Sequence, residues 1–115
     1  MSVSPTMAPV PWEALRTAES RQIEDCLRQA FQQADAYRYN SASIRVRVID
    51  PSFVGRSLDE RDALIDVHLR RLPESIQADI IMLLAFSPDE IQAGGDSLRA
   101  QLLNLEFNDP PRSTL

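Results

Sequence analysis

The chain has 115 residues, 43% of them hydrophobic and 25% charged, and a net charge of −5 at pH 7. That length supports one modest core, and the composition is that of a globular protein, not a disordered one. An acidic balance weighs against a general nucleic-acid binder, the lack of any lysine excludes a lysine nucleophile or Schiff base, and no run approaches the ~20 apolar residues that span a bilayer.

Residues 1–17 read as a flexible N-terminal segment, with prolines at Pro5, Pro9 and Pro11. Trp12 and Leu15 are placed to pack onto the domain that follows. No basic stretch followed by an apolar run opens the chain, so a cytoplasmic location is expected, and the single Cys26 suits a reducing compartment. From about Ala18 to Ala34, the residues Ile23, Leu27, Ala30, Phe31 and Ala34 recur at helical spacing. Glu19, Arg21, Glu24 and Arg28 fall on the polar side of that helix. Cys26 lies at the edge of the stripe and reads first as a structural thiol.

Asn40-Ser41-Ala42-Ser43 is a turn-like cluster, and Ile44, Val46 and Val48 then alternate with Arg45 and Arg47. That is the period of a half-buried strand, here the second arm of a hairpin. Asp50-Pro51-Ser52 ends it, since proline cannot donate to a ladder. Ser57-Leu58-Asp59-Glu60 is a capping box. It opens a helix with the apolar stripe Leu58, Leu64, Ile65, His68, Leu69 and Leu72, and Pro73 closes it or begins a short second helix. Ile80 to Phe86 is an unbroken apolar run of strand length. Ser87-Pro88-Asp89-Glu90 repeats the capping pattern, with proline at the first helical position. Gly94-Gly95 breaks the helix, Ser97 to Leu105 is expected to form another, and residues 106–115 form a tail. Its Leu102, Leu103, Leu105 and Phe107 neighbourhood is expected to fold back on the domain. Residues 18–105 are thus expected to be a single α/β domain.

Catalytic constellations are scarce. One cysteine and one histidine stand 42 positions apart, with no metal-binding spacing. No serine sits in a nucleophile elbow, and no glycine pattern makes a phosphate loop. Asp59, Glu60 and Asp62 are accounted for by helix capping and the helix dipole. No enzymatic activity and no cofactor are expected, Cys26 and His68 being weak metal candidates. Arg38, Arg45 and Arg47, with Arg56 and Arg61 across the turn, suggest an arginine-rich face. Such a face is either solvated and paired with acidic neighbours or a docking surface for an acidic partner or nucleic acid.

The stretch F-V-G-R-S-L-D-E-R-D-A-L-I from Phe53 resembles the signature of the BolA family, F-x-G-x-S-x-x-x-R leading into a helix. Phe53, Gly55, Ser57, Arg61, Leu64 and Ile65 stand at the matching places. Ile76-Gln77-Ala78 is similar to the family's I-H-A, and Ser87-Pro88-Asp89-Glu90 to its T-P-E-E. The resemblance, over residues 21–91, implies an α/β domain like class II KH domains, with helices on one face of a three-stranded mixed sheet. It also implies a protein partner, a monothiol glutaredoxin-like protein, which relatives bind around a shared iron–sulfur cluster. Some relatives act in transcription control. Departures bear on the cluster: the family histidines fall at Gln77 and Asp62, and the loop between the first two strands shrinks to Asn40–Ser43, without cysteine or histidine. The KH groove also lacks G-x-x-G, which weakens nucleic-acid clamping. The expected function is partner binding through Arg45, Arg47, Phe53, Gly55, Arg56, Ser57 and Arg61. The alternatives are a nucleic-acid regulator using the arginine face, a diverged iron–sulfur or metal partner using Cys26 or His68, and a homodimer through the sheet edge or tail.

Overall fold

A computed structural model describes residues 12–93 and Phe107. After a 3-10 turn at Trp12–Leu15 the order is α1 (Ala18–Arg28), β1 (Gln33–Asn40), β2 (Ser43–Ile49), a 3-10 turn at Pro51–Phe53, α2 (Leu58–Leu69), α3 (Glu74–Asp79), β3 (Ile80–Phe86) and α4 (Pro88–Ala93). The sheet order is β1-β2-β3, with β1 antiparallel and β3 parallel to β2. This is the mixed three-stranded sheet expected from the resemblance.

Local chemistry sets the boundaries. Thr17 caps α1 in a reciprocal box with Ser20. α1 ends at Arg28, earlier than Ala34, because Ala30 and Phe31 both close onto the Leu27 carbonyl and the chain from Gln33 pairs with β2. Ala34 is therefore a strand residue, and Ala30 is exposed. The β2 strand ends where Asp50 caps the Pro51 turn. Burial alone would push the Asp50 carboxyl up, but bonds from the Ser52 hydroxyl and the Ser52 and Gln32 N–H groups outweigh it and hold it below its ordinary value. Ser57 and Glu60 form the expected capping box of α2, with bonds of 2.9 and 3.1 Å. Ser87 and Glu90 repeat it at α4.

α1, α2 and α3 cover one sheet face. Ile23, Leu27, Phe31, Ala34, Ala36, Ile44, Val46, Val48, Phe53, Ile65, Leu69, Ile76 and Ala85 make the main core there. Leu58, expected on the α2 stripe, is 54% exposed instead. The other sheet face is covered too. Trp12 and Phe107 pack over Tyr37, while Ile91 of α4 packs over Ile49 and Phe86. Hence β2 is buried on both faces, where alternation predicted one wet side. Phe107 itself is fully buried against Trp12 and Tyr37. The expected helix from Ser97 to Leu105, the break at Gly94-Gly95 and the apolar residues Leu102, Leu103 and Leu105 lie outside the described residues, as do residues 1–11.

Candidate functional site

The signature from Phe53 to Arg61 is spent largely on architecture. Phe53 is fully buried, its ring 5.5 Å from that of Phe31. Gly55 has φ +75°, the left-handed region that side chains disfavour, although an added Cβ would meet no atom within 4 Å. Glycine is needed here for the backbone angle, not for space. Hydrogen bonds from the backbone N–H and hydroxyl of Ser57 hold the Glu60 carboxyl below its ordinary value. Arg61 is 4% exposed. Its Nε donates to the Arg56 carbonyl (3.0 Å), its Nη1 to the Ala85 carbonyl (3.1 Å), and its fork to both Glu90 oxygens (2.6 and 3.2 Å). One guanidinium therefore joins the turn, β3 and α4, so Phe53 and Arg61, read as docking residues, are withdrawn from the surface. What the turn leaves exposed is Val54 (59%), Gly55, Arg56, Ser57 and Leu58, with Ser57 engaged in the cap of α2.

The sheet arginines form no open basic face. Arg47 is 8% exposed and lies in a bidentate grip on Asp35 Oδ2 (2.6 and 3.0 Å), with its guanidinium 4.5 Å from the Phe107 ring centroid and 5.6 Å from that of Trp12. Its expected role as a surface contact fails because the aromatic cover removes it from solvent. Arg45 lies 3.8 Å over the Tyr39 ring. Arg38 binds Glu19, Asp79 and the carbonyls of Asn40 and Ser41. Arg45 also stands at the opposite end of β2 from the Pro51 turn, so the structure does not bring it together with Arg56. Beside these arginines Tyr37 is fully buried, and burial pushes its hydroxyl pKa up to about 12.

Helical spacing puts Glu24 on the polar side of α1, yet it is 2% exposed. Its Oε2 accepts from the Ala36 N–H (3.0 Å) and pairs with Arg16 (3.0 Å) and Arg28 (3.5 Å). Arg28 in turn donates to the Ala34 carbonyl (2.8 Å). These two side chains occupy the outer edge of β1, where another strand would otherwise pair. The available signal was position: Glu24 follows Ile23 and precedes Leu27 by three, at the rim of the apolar stripe.

Cys26 and His68 do meet across α1 and α2, but through the main chain. The thiol donates to the His68 carbonyl (3.3 Å), and the imidazole stands edge-on to Phe31. Among the described residues no group of three or more His, Cys, Asp or Glu could hold a metal ion. Gln77, at the resembled histidine position, donates to the Leu72 carbonyl (2.7 Å) and lines a cavity of about 250 Å³ with Asp66, Leu69, Ile80, Ile81 and Leu83. Among the described residues no helix is long and apolar enough to cross a membrane.

No family model and no curated protein matches this sequence. A solved structure does: BolA1 from Arabidopsis thaliana superposes with a TM-score of 0.50 at 15% identity, over 64% of this chain and 96% of that one. The fold is BolA-like. At this identity the likeness concerns architecture alone. In the BolA-like frame the arginine of the turn motif is a structural tie, and the position of the resembled histidine is an amide beside a cavity.

Proposed function

We propose that this chain is a non-enzymatic BolA-like protein that acts by binding a protein partner, a monothiol glutaredoxin-like one, while supplying no cluster ligand of its own. The observation that carries the proposal is the exposed knuckle of the turn. Val54 and Leu58 are more than half exposed on either side of Gly55 and Arg56, on a backbone anchored by Phe53, Ser57 and Arg61. Apolar residues exposed on an anchored turn suit a pre-organised docking site. The arginine pairings of the sheet favour a protein over nucleic acid, because Arg38 and Arg47 already bind carboxylates. Gln77 in place of an imidazole favours a partner interaction that does not rely on shared metal.

Calorimetric titration of a monothiol glutaredoxin from the same cells, with and without its cluster, tests this. Binding by the wild type, weakened at least about tenfold in Val54→Glu/Leu58→Glu and Arg56→Glu, is expected. Wild-type indifference to the glutaredoxin in both states would reject the partner, and binding untouched by these substitutions would reject the docking site.

A further inference from the structure

The two sheet edges are treated differently. The outer edge of β1 is filled by the side chains of Glu24 and Arg28, whereas β3 forms the other edge and carries no charge and no proline from Ile80 to Phe86. The Asp50 N–H bonds to the Phe86 carbonyl (3.0 Å), which sets the phase of the parallel ladder back to Met82; between Ile80 and Met82 the register shifts, with Ile81 the extra residue. Met82, Leu84 and Phe86 turn their main-chain groups toward β2, and Leu83 and Ala85 turn theirs outward. Arg61 takes the Ala85 carbonyl (3.1 Å) and closes the C-terminal half of this edge. Among the described residues no hydrogen bond reaches the outward main chain of Leu83. Beside that segment Ile81 is 67% exposed, and the cavity of about 250 Å³ opens onto it.

We infer that the N-terminal half of the β3 edge is a strand-addition site for a short extended peptide of a partner protein, with an apolar side chain in the cavity and a cationic residue beside Asp66. An extended main chain is the occupant that matches an outward N–H and C=O in one strand residue. Asp66 is the ionisable group in the cavity wall. Its bond to Arg70 (2.7 Å) joins two exposed side chains four residues apart, a pairing that competes weakly with an incoming cation. A second copy fits less well, because antiparallel pairing of β3 with itself would run into Arg61 at Ala85. This site lies at the opposite end of the sheet from the Val54–Leu58 knuckle, since Ile44 pairs with Ile80 and Ile49 with Phe86. It rests on the reading of the chain as a partner-binding protein, but not on the partner being a glutaredoxin.

The test uses acetylated peptides of alternating valine and threonine, flanked by arginine, by glutamate or by neither, titrated into the full chain and followed by amide NMR. The arginine-flanked peptide is expected to bind best, to perturb Ile81 and Leu83, and to slow hydrogen exchange at the Leu83 amide. Ile81→Arg, at an exposed position, is expected to weaken binding about tenfold or more, and Asp66→Asn to erase the preference for arginine over uncharged flanks. Absence of binding up to about 1 mM peptide overturns the inference. So does a response centred on Val54 to Leu58, or a concentration-dependent dimer that Ile81→Arg abolishes. Peptide binding at β3 without glutaredoxin binding would reject the partner proposed above and leave this site standing; the reverse would reject this site alone.

Discussion

Replacing Arg61 separates an architectural motif from a functional one. In the folded chain its buried guanidinium makes four hydrogen bonds to three segments: the Arg56 carbonyl, the Ala85 carbonyl and both oxygens of Glu90. Arg61→Ala takes one donor from the Ala85 carbonyl and the guanidinium fork from Glu90. Removing one member of a buried, hydrogen-bonded pair costs about 3–5 kcal/mol; Glu90 is partly exposed, so the lower end applies, about 3 kcal/mol. For a domain of this size about 1 kcal/mol shifts Tm by about 4–8 °C, so a fall of about 12–24 °C is expected. Arg61→Lys should recover little of it, because an ammonium cannot reproduce the fork that meets Glu90 while reaching two carbonyls. Urea unfolding of Arg61→Ala, Glu90→Ala and the double variant measures the coupling, expected at about 1–3 kcal/mol. A chain that keeps its stability after Arg61→Ala but loses partner binding would show the structural argument to be wrong.

Further outcomes follow from the same contacts. Phe107→Ala removes one wall of the cage around Arg47 and is expected to cost about 3 kcal/mol, with Trp12 fluorescence moving to the red as the indole meets water. Glu24→Ala opens the β1 edge by freeing the Ala36 N–H, so it should raise concentration-dependent light scattering as well as lower Tm. Gly55→Ala is expected to cost about 1 kcal/mol although the site has room, because the penalty lies in φ. For Tyr37 the folded pKa of about 12 lies above the ordinary value of 10.0. Its contribution is therefore complete below pH 10 and lost as pH rises toward 12, the unfolded state being favoured by phenolate formation. Denaturation monitored at fixed pH values across that window should show a falling midpoint, and a Tyr37→Phe variant should fall less steeply.

Most of the architecture was legible because it depends on local chemistry. The capping boxes at Ser57 and Ser87, the proline after β2 and the uncharged run of β3 each act within a few residues of their own position. What escaped was set by residues distant in sequence. Arg47 alternates with Val46 and Val48 as a wet-side residue should, yet it lies under Trp12 and Phe107, 35 positions before it and 60 after it. Glu24 has the helical phase of a rim position, and only the approach of the β1 edge makes it a buried acceptor. α1 ends six residues early because pairing with β2 claims Gln33 and Ala34, which no helix period reveals.

The same distinction reorders the candidate site. Residues that made the signature recognisable, Phe53, Ser57 and Arg61, proved to be those most committed to internal bonds. Such a motif identifies a fold because its substitution would dismantle it, and a buried guanidinium can contribute to recognition only by holding other residues in place. The positions able to touch a partner are the ones between and beside them: Val54, Arg56 and Leu58 on the turn, and Ile81 with its cavity at the far end of the sheet. None of these four is defined by the motif. Chains sharing the turn geometry can therefore differ in partner, and a substitution at Val54 or Ile81 should alter binding without altering fold, whereas one at Arg61 should lower stability first and affect binding only through the turn it anchors.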